Sequence, residues 1–158
     1  MNSSYEVVLQ QVAPSDLWGV LKTLEKSSRS LSGLSVSEDV RGLDLQIINK
    51  NLVNSVVAYD GNICLLGRLH EFNVTPEISL PLVLLRVLKY QDDIDVELSF
   101  DERPFFDVDR ILLGMKEYCD GLSNKFSVSK FYGGLEPAKD LDTRYFTGNA
   151  SGSLNDDI

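Results

Sequence analysis

The sequence predicts an α+β fold: a mainly antiparallel sheet of about five or six strands with about three helices on one face. Two observations carry this. Runs of strand-like residues are interrupted by three helical patterns, and the connections include short turns of the Asp-Gly kind, which make neighbouring strands antiparallel. With 158 residues, 43% of them apolar, the chain is long enough for one domain, since a domain of this size buries roughly 70% of the surface its unfolded chain exposes. The domain is expected over residues 1–147, followed by a polar, mobile tail over 148–158 that lacks the apolar surface to fold alone.

"YEVVLQQV" (5–12) reads as a strand. Pro14, Ser15 and Asp16 then start a helix with Leu17, Val20, Leu21 and Leu24 at three- and four-residue spacing. The Ser- and Gly-rich "SSRSLSGLS" ends that helix. From Leu43 the pattern reads as strands: "LDLQIIN", "NSVVAY" and "NICLLGRL", the last two joined by Asp60-Gly61, where glycine readily takes positive φ. A second helix is expected from Thr75-Pro76 or Ser79-Pro81 through "LVLLRVLKY", apolar over most of its circumference and therefore buried across the sheet.

"DDIDVELSFDE" (92–102) alternates strictly and reads as a strand. Arg103-Pro104 breaks the pattern, and Asp107 is placed to cap a third helix whose stripe is Val108, Ile111, Leu112, Met115, Cys119 and Leu122, with Gly121 near its end for the C-cap. "FSVSKFYGG" (126–134) reads as a further strand, and "LEPAKDLDTRYFTGN" as a turn or short helix.

Charge narrows the possible partners. The chain has 24 acids against 15 bases, a net charge of −9, and its bases are scattered, so direct nucleic-acid binding is not expected. A basic partner would be drawn in faster by this field, most strongly at low salt. The N-terminus has no basic leader ahead of an apolar segment, and no run approaches ~18 apolar residues, so a cytoplasmic protein with no membrane contact is expected. Cys64 and Cys119 read as buried reduced thiols.

No motif for catalysis or cofactor binding emerges. His70, the single histidine, has no nucleophile in register with it and reads as structural or surface. The "DDIDVE" run fails the calcium-loop pattern, because Ile, Val and Leu fill the intervening positions and no Gly supplies the sixth-position turn. Walker and dinucleotide patterns are absent, and no cofactor is expected.

The acid run remains. Residues 92–109 hold eight of the acids and one base, Arg103. One reading is a solvated strand face whose charge protects a sheet edge from unwanted pairing. The other starts from geometry: alternate strand residues lie ~6.6 Å apart, close to the ~7 Å phosphate spacing of an extended nucleic-acid strand, so the row could occupy the basic groove of a nuclease. A second candidate surface lies in "KFYGGLEPAKDLDTRYF" (130–146), where Tyr132, Arg144 and Tyr145 are of the types that carry interface energy, while Phe131 and Phe146 read as core.

The size, the acidity, the α+β pattern and the missing active site resemble bacterial toxin-immunity proteins, the inhibitors of contact-dependent growth inhibition and other polymorphic toxins. "YGGLEPAKDLDTRYFTGN", with an Asp-x-x-Thr-Arg turn flanked by aromatics, has the character of a family signature. The resemblance implies a non-enzymatic protein of the bacterial cytoplasm that binds a cognate toxin, many of which are nucleases. The expected partner surface is Asp93, Asp95, Glu97, Asp101 and Glu102, joined by Tyr132, Arg144 and Tyr145, meeting a basic toxin. Reversal of Asp95, Glu97 and Asp101 to Lys is expected to abolish binding and leave the fold intact. The alternatives are an acidic secretion chaperone holding an exported protein along apolar grooves, or an enzyme working through carboxylates alone.

Overall fold

The computed structural model describes residues 4–38, 40, 42–101, 107–138, 141–148 and 150–152. Its strands are β1 (Ser4–Val12), β2 (Ser28–Val36), β3 (Ile63–Thr75), β4 (Ile78–Tyr90), β5 (Asp93–Asp101), β6 (Val128–Leu135), β7 (Arg144–Thr147) and the two-residue β8 (Ala150–Ser151). They form one sheet in the order β2-β3-β4-β5-β1-β6-β7-β8, every neighbouring pair antiparallel. Three helices, α1 (Leu17–Lys26), α2 (Lys50–Ala58) and α3 (Val108–Lys125), accompany the sheet. The α+β, antiparallel expectation holds, with more strands than expected. β8 falls inside the stretch read as a polar tail, where Thr147 pairs with Ala150.

One core lies between the sheet and the helices. Leu9, Leu65, Leu69, Val83, Leu85, Val96 and Leu98 from the strands join Leu17, Leu21, Leu24, Leu52, Val56, Ile111, Leu112 and Met115 from the helices in a single buried cluster. α1 presents the predicted Leu17, Val20, Leu21 and Leu24. Asp16 does not cap it; its carboxylate accepts from the Ser127 backbone N–H at 2.7 Å and ties the helix start to the approach of β6. α3 begins as predicted, with the Asp107 side chain accepting from the N–H groups of Asp109 and Arg110, two donors that a helix start leaves without intrahelical partners. Tyr118 on α3 packs edge-on against Phe72 and meets Ser27 Oγ at 2.6 Å beyond the end of α1. Among the described residues no helix is long and apolar enough to cross a membrane.

Several expectations fail for physical reasons. "LVLLRVLKY" belongs to β4. The strand is central, so Val83, Leu85 and Val87 fill the core while Leu82, Leu84 and Leu88 stand on the other face; apolar residues at both parities mimic a helix that is apolar all round. Thr75 and Pro76 open a tight hairpin instead, in which Thr75 Oγ1 accepts from the N–H groups of Glu77 and Ile78. "NSVVAY" lies in α2 and its flank, with Leu52, Val53 and Val56 buried and Asn49 capping by accepting from Leu52 N–H at 2.9 Å. The cap and the helical spacing outweigh the strand preference of the two valines.

"LDLQIIN" contains no strand; its anchor is Ile48, fully buried, whose carbonyl accepts from Lys22. Gly61 does take positive φ, 120°, yet Asp60-Gly61 joins α2 to β3 and not two strands. "SSRSLSGLS" continues from α1 into the edge strand β2. Gly121 is interior to α3, which runs on to Lys125 and is closed by an extended Phe126. Arg103-Pro104 lies outside the described residues.

Two glycines give the fold a sharp test. A Cβ on Gly134 would collide with the Thr143 carbonyl oxygen and lie 2.7 Å from Arg144 Cα, where β6 and β7 cross closely, whereas one on Gly121 would meet nothing within 4 Å. Gly134→Ala is therefore expected to lower unfolding free energy by about 1–3 kcal/mol through overpacking, and Gly121→Ala to raise it by up to about 1 kcal/mol through helix propensity. Urea unfolding of both variants checks the pair.

A helix-free sheet face as candidate functional site

Strand register assigns the side chains that share the face turned away from the helices. Reading across the sheet, one row is Ser35, Leu66, Arg86, Glu97, Val8, Tyr132 and Thr147; the next is Ser32, Arg68, Leu84, Ser99, Glu6, Gly134 and Arg144. Leu66, Leu82 and Leu84 are 43%, 36% and 42% exposed. No described helix covers them.

β5 lies between β4 and β1, so its acids do not guard an edge, and the two neighbours decide what each one does. Asp95 is only 6% exposed. Its carboxylate accepts from the Tyr90 hydroxyl at 2.7 Å and from the Gln11 backbone N–H at 2.9 Å. Gln11 has φ 51°, in the left-handed region, and Asp95 satisfies the N–H that this bend turns out of the ladder. Donation to Asp95 pushes the Tyr90 phenol up to about 12. Glu6, also buried, accepts from Ala138 N–H at 2.6 Å and holds the 136–138 turn over the sheet.

Glu97 stands between these two carboxylates. Loss of water raises its pKa above the ordinary carboxyl value, and the Glu6 charge raises it further. Arg86 pulls it back, but across an Nη1–Oε1 distance of 3.4 Å, longer than a strong charge-assisted bond. Asp93 and Asp101 are exposed, and Asp101 accepts from Ser4 Oγ at 3.0 Å. The accessible carboxylates of β5 are thus Asp93, Glu97 in part, and Asp101, at four-residue intervals of about 13 Å. The expected unbroken row is interrupted by the buried Asp95, and Asp95→Lys would break the fold as well as the charge pattern. Glu102 lies outside the described residues.

The second predicted surface divides. Arg144 stacks on Tyr132, 4.0 Å from the ring centre, and its Nε–H donates to the Ala138 carbonyl at 2.7 Å. Tyr132 is itself buried in a small cluster with Val8 and Ala138 on the helix-free face. Tyr145 is on the other side of the sheet, edge-on to Tyr5 at 6.4 Å and packed against the main core. The motif "EPAKDLDTR" is thus explained in part by architecture: Glu6, Tyr132 and Arg144 fasten its turn across one flank of the face. Phe131 and Phe146 pack against each other in the core, as predicted.

The sequence reading named none of Leu66, Leu82, Leu84, Arg68 and Arg86 as site residues, although the leucine-rich 81–90 segment would offer a partner surface if left uncovered. The available signal was alternation through "LLGRLH" and "PLVLLRVLKY", once both are read as strands. Two hollows open here, one of about 180 Å³ bordered by Leu82, Leu84, Asp101 and Glu136, and one of about 270 Å³ bordered by Leu66, Arg68, Leu84 and Arg86. Among the described residues no group of three His, Cys, Asp or Glu side chains is placed to hold a metal ion. Cys64 and Cys119 are free thiols, Cys119 buried and Cys64 half-buried beside Leu88, and desolvation pushes both thiols up.

The raised Glu97 pKa means its ionisation opposes folding. Below the ordinary carboxyl pKa of about 4.5 the group is protonated in both states and costs nothing; as pH rises through the folded-state value, stability is lost. Glu97→Gln is expected to be more stable than the parent at pH 7 and to lose that advantage near pH 4, as measured by urea unfolding across pH.

The chain matches the family model described as the PABL017 Cdi1I immunity protein over residues 3–151. Comparison with curated proteins finds no match. Among solved structures it is similar to a chain in the crystal structure of the toxic C-terminal tip of CdiA from Pseudomonas aeruginosa in complex with immune protein, at 35% identity and a TM-score of 0.92, covering 98% of this chain and 99% of that one. The resemblance read from the sequence is correct, and the protein is an inhibitor and not an enzyme. A match that spans the strands, the helices and the turn motif alike leaves one assignment: the chain belongs to the PABL017 Cdi1I immunity protein family.

Proposed function

We propose that the protein neutralises the toxic C-terminal tip of a CdiA-type protein in the bacterial cytoplasm, binding it through the helix-free sheet face. The observation that carries this reading is the group of exposed leucines, Leu66, Leu82 and Leu84, beside the Arg86–Glu97 pair on the face that no described helix covers. Covering the exposed part of each leucine contributes on the order of 1 kcal/mol, so apolar contact alone does not make a tight complex. Charge supplies speed and selectivity. The net charge of −9 and the accessible carboxylates of Asp93, Glu97 and Asp101 favour a basic, nuclease-like tip.

In this reading the acids of β5 divide their work. Asp95 holds Tyr90 and the Gln11 bend, while Asp93 and Asp101 face the partner. Tyr132 and Arg144 brace the flanking turn, and the partner meets that turn's outer surface, where Leu141 is exposed.

The test is the affinity of the purified protein for the catalytically inactive C-terminal tip of its cognate toxin, measured at several salt concentrations. Asp93→Lys with Asp101→Lys is expected to weaken binding at least tenfold and flatten its salt dependence, with an unchanged urea midpoint. Asp95→Lys is expected to lower the midpoint itself. Undiminished affinity in the Asp93/Asp101 double variant would remove the acidic face from the interface.

A further inference from the structure

The helix-free face is not uniformly acidic. Its central block is a checkerboard across β3 and β4: Leu66 lies directly opposite Arg86, and Arg68 directly opposite Leu84. The four side chains border the same hollow of about 270 Å³, with Ser35 and Ser99 at its ends. The hollow is open to solvent and large enough to admit a partner's side chain.

The two arginines differ in how they are held. Arg86 reaches Glu97 at 3.4 Å and keeps 43% of its side chain exposed. Arg68 is exposed and has neither a hydrogen bond nor an ion pair among the described residues. Its guanidinium passes over Gly33, where a Cβ would come within 3.3 Å of Nη1, and Gly33 has φ 65° at the irregularity that shifts β2 against β3. A glycine there leaves space for the arginine to lie along the sheet, its stem on apolar surface and its fork at the hollow.

We propose that this hollow is a carboxylate-accepting subsite: Arg68 and Arg86 together receive an acidic side chain of the toxin tip, whose flanking apolar residues cover Leu66 and Leu84. The proposal rests on the binding face proposed above and makes it bipolar, with acid-accepting arginines over β3 and β4 and base-accepting carboxylates over β5. A guanidinium matches a carboxylate in a planar, two-bond arrangement that lysine cannot reproduce. Water leaves the hollow as the leucines are covered, which strengthens the pairing, and an unpaired arginine left behind in the wrong complex is penalised. Glu97 beside Arg86 and the chain's overall negative charge disfavour a polyphosphate at the same place, so the ligand is a single protein carboxylate. The two poles fix the orientation in which the tip can dock.

The discriminating variant is Arg68→Glu, which makes the chain more acidic by two charges at an exposed position. If negative charge alone attracted a basic toxin, this variant would bind as well as the parent or better. The bipolar subsite predicts the opposite: binding of the inactive toxin tip at least tenfold weaker, with an intermediate loss for Arg68→Gln and unchanged urea midpoints for both. Equal or tighter binding by Arg68→Glu at an unchanged midpoint overturns the subsite while leaving the proposed function standing. Should Arg68→Glu fold poorly, Arg68→Gln decides, and parental affinity in that variant overturns the subsite. A parent protein that does not bind the tip overturns both. Added RNA that competes with the tip at the parent's hollow, and not in Arg68→Gln, would reassign the subsite to phosphate.

Discussion

The central position of β5 governs the rest of this molecule. A strand flanked on both sides by partners cannot present its alternate residues as an independent row, because each side chain meets neighbours from β4 and β1 at about 5 Å. Asp95 is absorbed by Tyr90 and by the bent backbone at Gln11. Glu97 is held between Glu6, Asp95 and Arg86 and loses much of its water. Only Asp93 and Asp101, at the two ends of the strand, are exposed to solvent. A run of acid in the sequence thus becomes one structural group, Asp95, and two solvent-facing ones, Asp93 and Asp101, with Glu97 in between.

The same crowding gives the helix-free face its character. Helices fill one side of the sheet, and the turn fastened by Glu6, Tyr132 and Arg144 covers the flank of the other. What stays open is the middle, where β3 and β4 alternate leucine with arginine. An ionised Glu97 opposes folding here, since lost water and the neighbouring Glu6 charge both raise its pKa. Keeping Glu97 ionisable beside Glu6 and Asp95 is a strain that the rest of the core offsets, and such strain is common where a surface is shaped for binding and not for stability.

How much of this was legible beforehand depends on burial on one or two sides. α1 and α3 were readable because each has one wet and one dry face, so a three- and four-residue stripe appears in the letters; β5 was readable from its alternating polar and apolar letters, and β1 and β6 as short strand-like runs. β4 was misread because both its faces carry leucine, and α2 because Val56 and Val57 favour strands while the decisive Asn49 cap is a single residue. β2 was hidden by its serines, which break the apolar alternation that marks a strand. At the site, Asp93, Asp95, Glu97 and Asp101 were correctly placed on one strand, but the sequence had no way to reveal that Tyr90 and Gln11 sequester one of them. Arg68 and Arg86 were invisible as a pair because only the β3–β4 hairpin brings residues 18 apart in number into adjacent ranks. The family resemblance came from overall character and proved correct, while the site depended on pairing information that no local pattern contains.

The most direct test of the account is a titration of methyl-labelled protein with the inactive toxin tip, following leucine methyl resonances by NMR. Leu113 is 49% exposed on α3, on the helix side of the sheet, and serves as an internal control for Leu66, Leu82 and Leu84, which are exposed to a similar degree. The account predicts that the three sheet-face leucines shift and saturate together while Leu113 stays in place. Movement of Leu113 with silent Leu66, Leu82 and Leu84 would put the partner on the helices and contradict it.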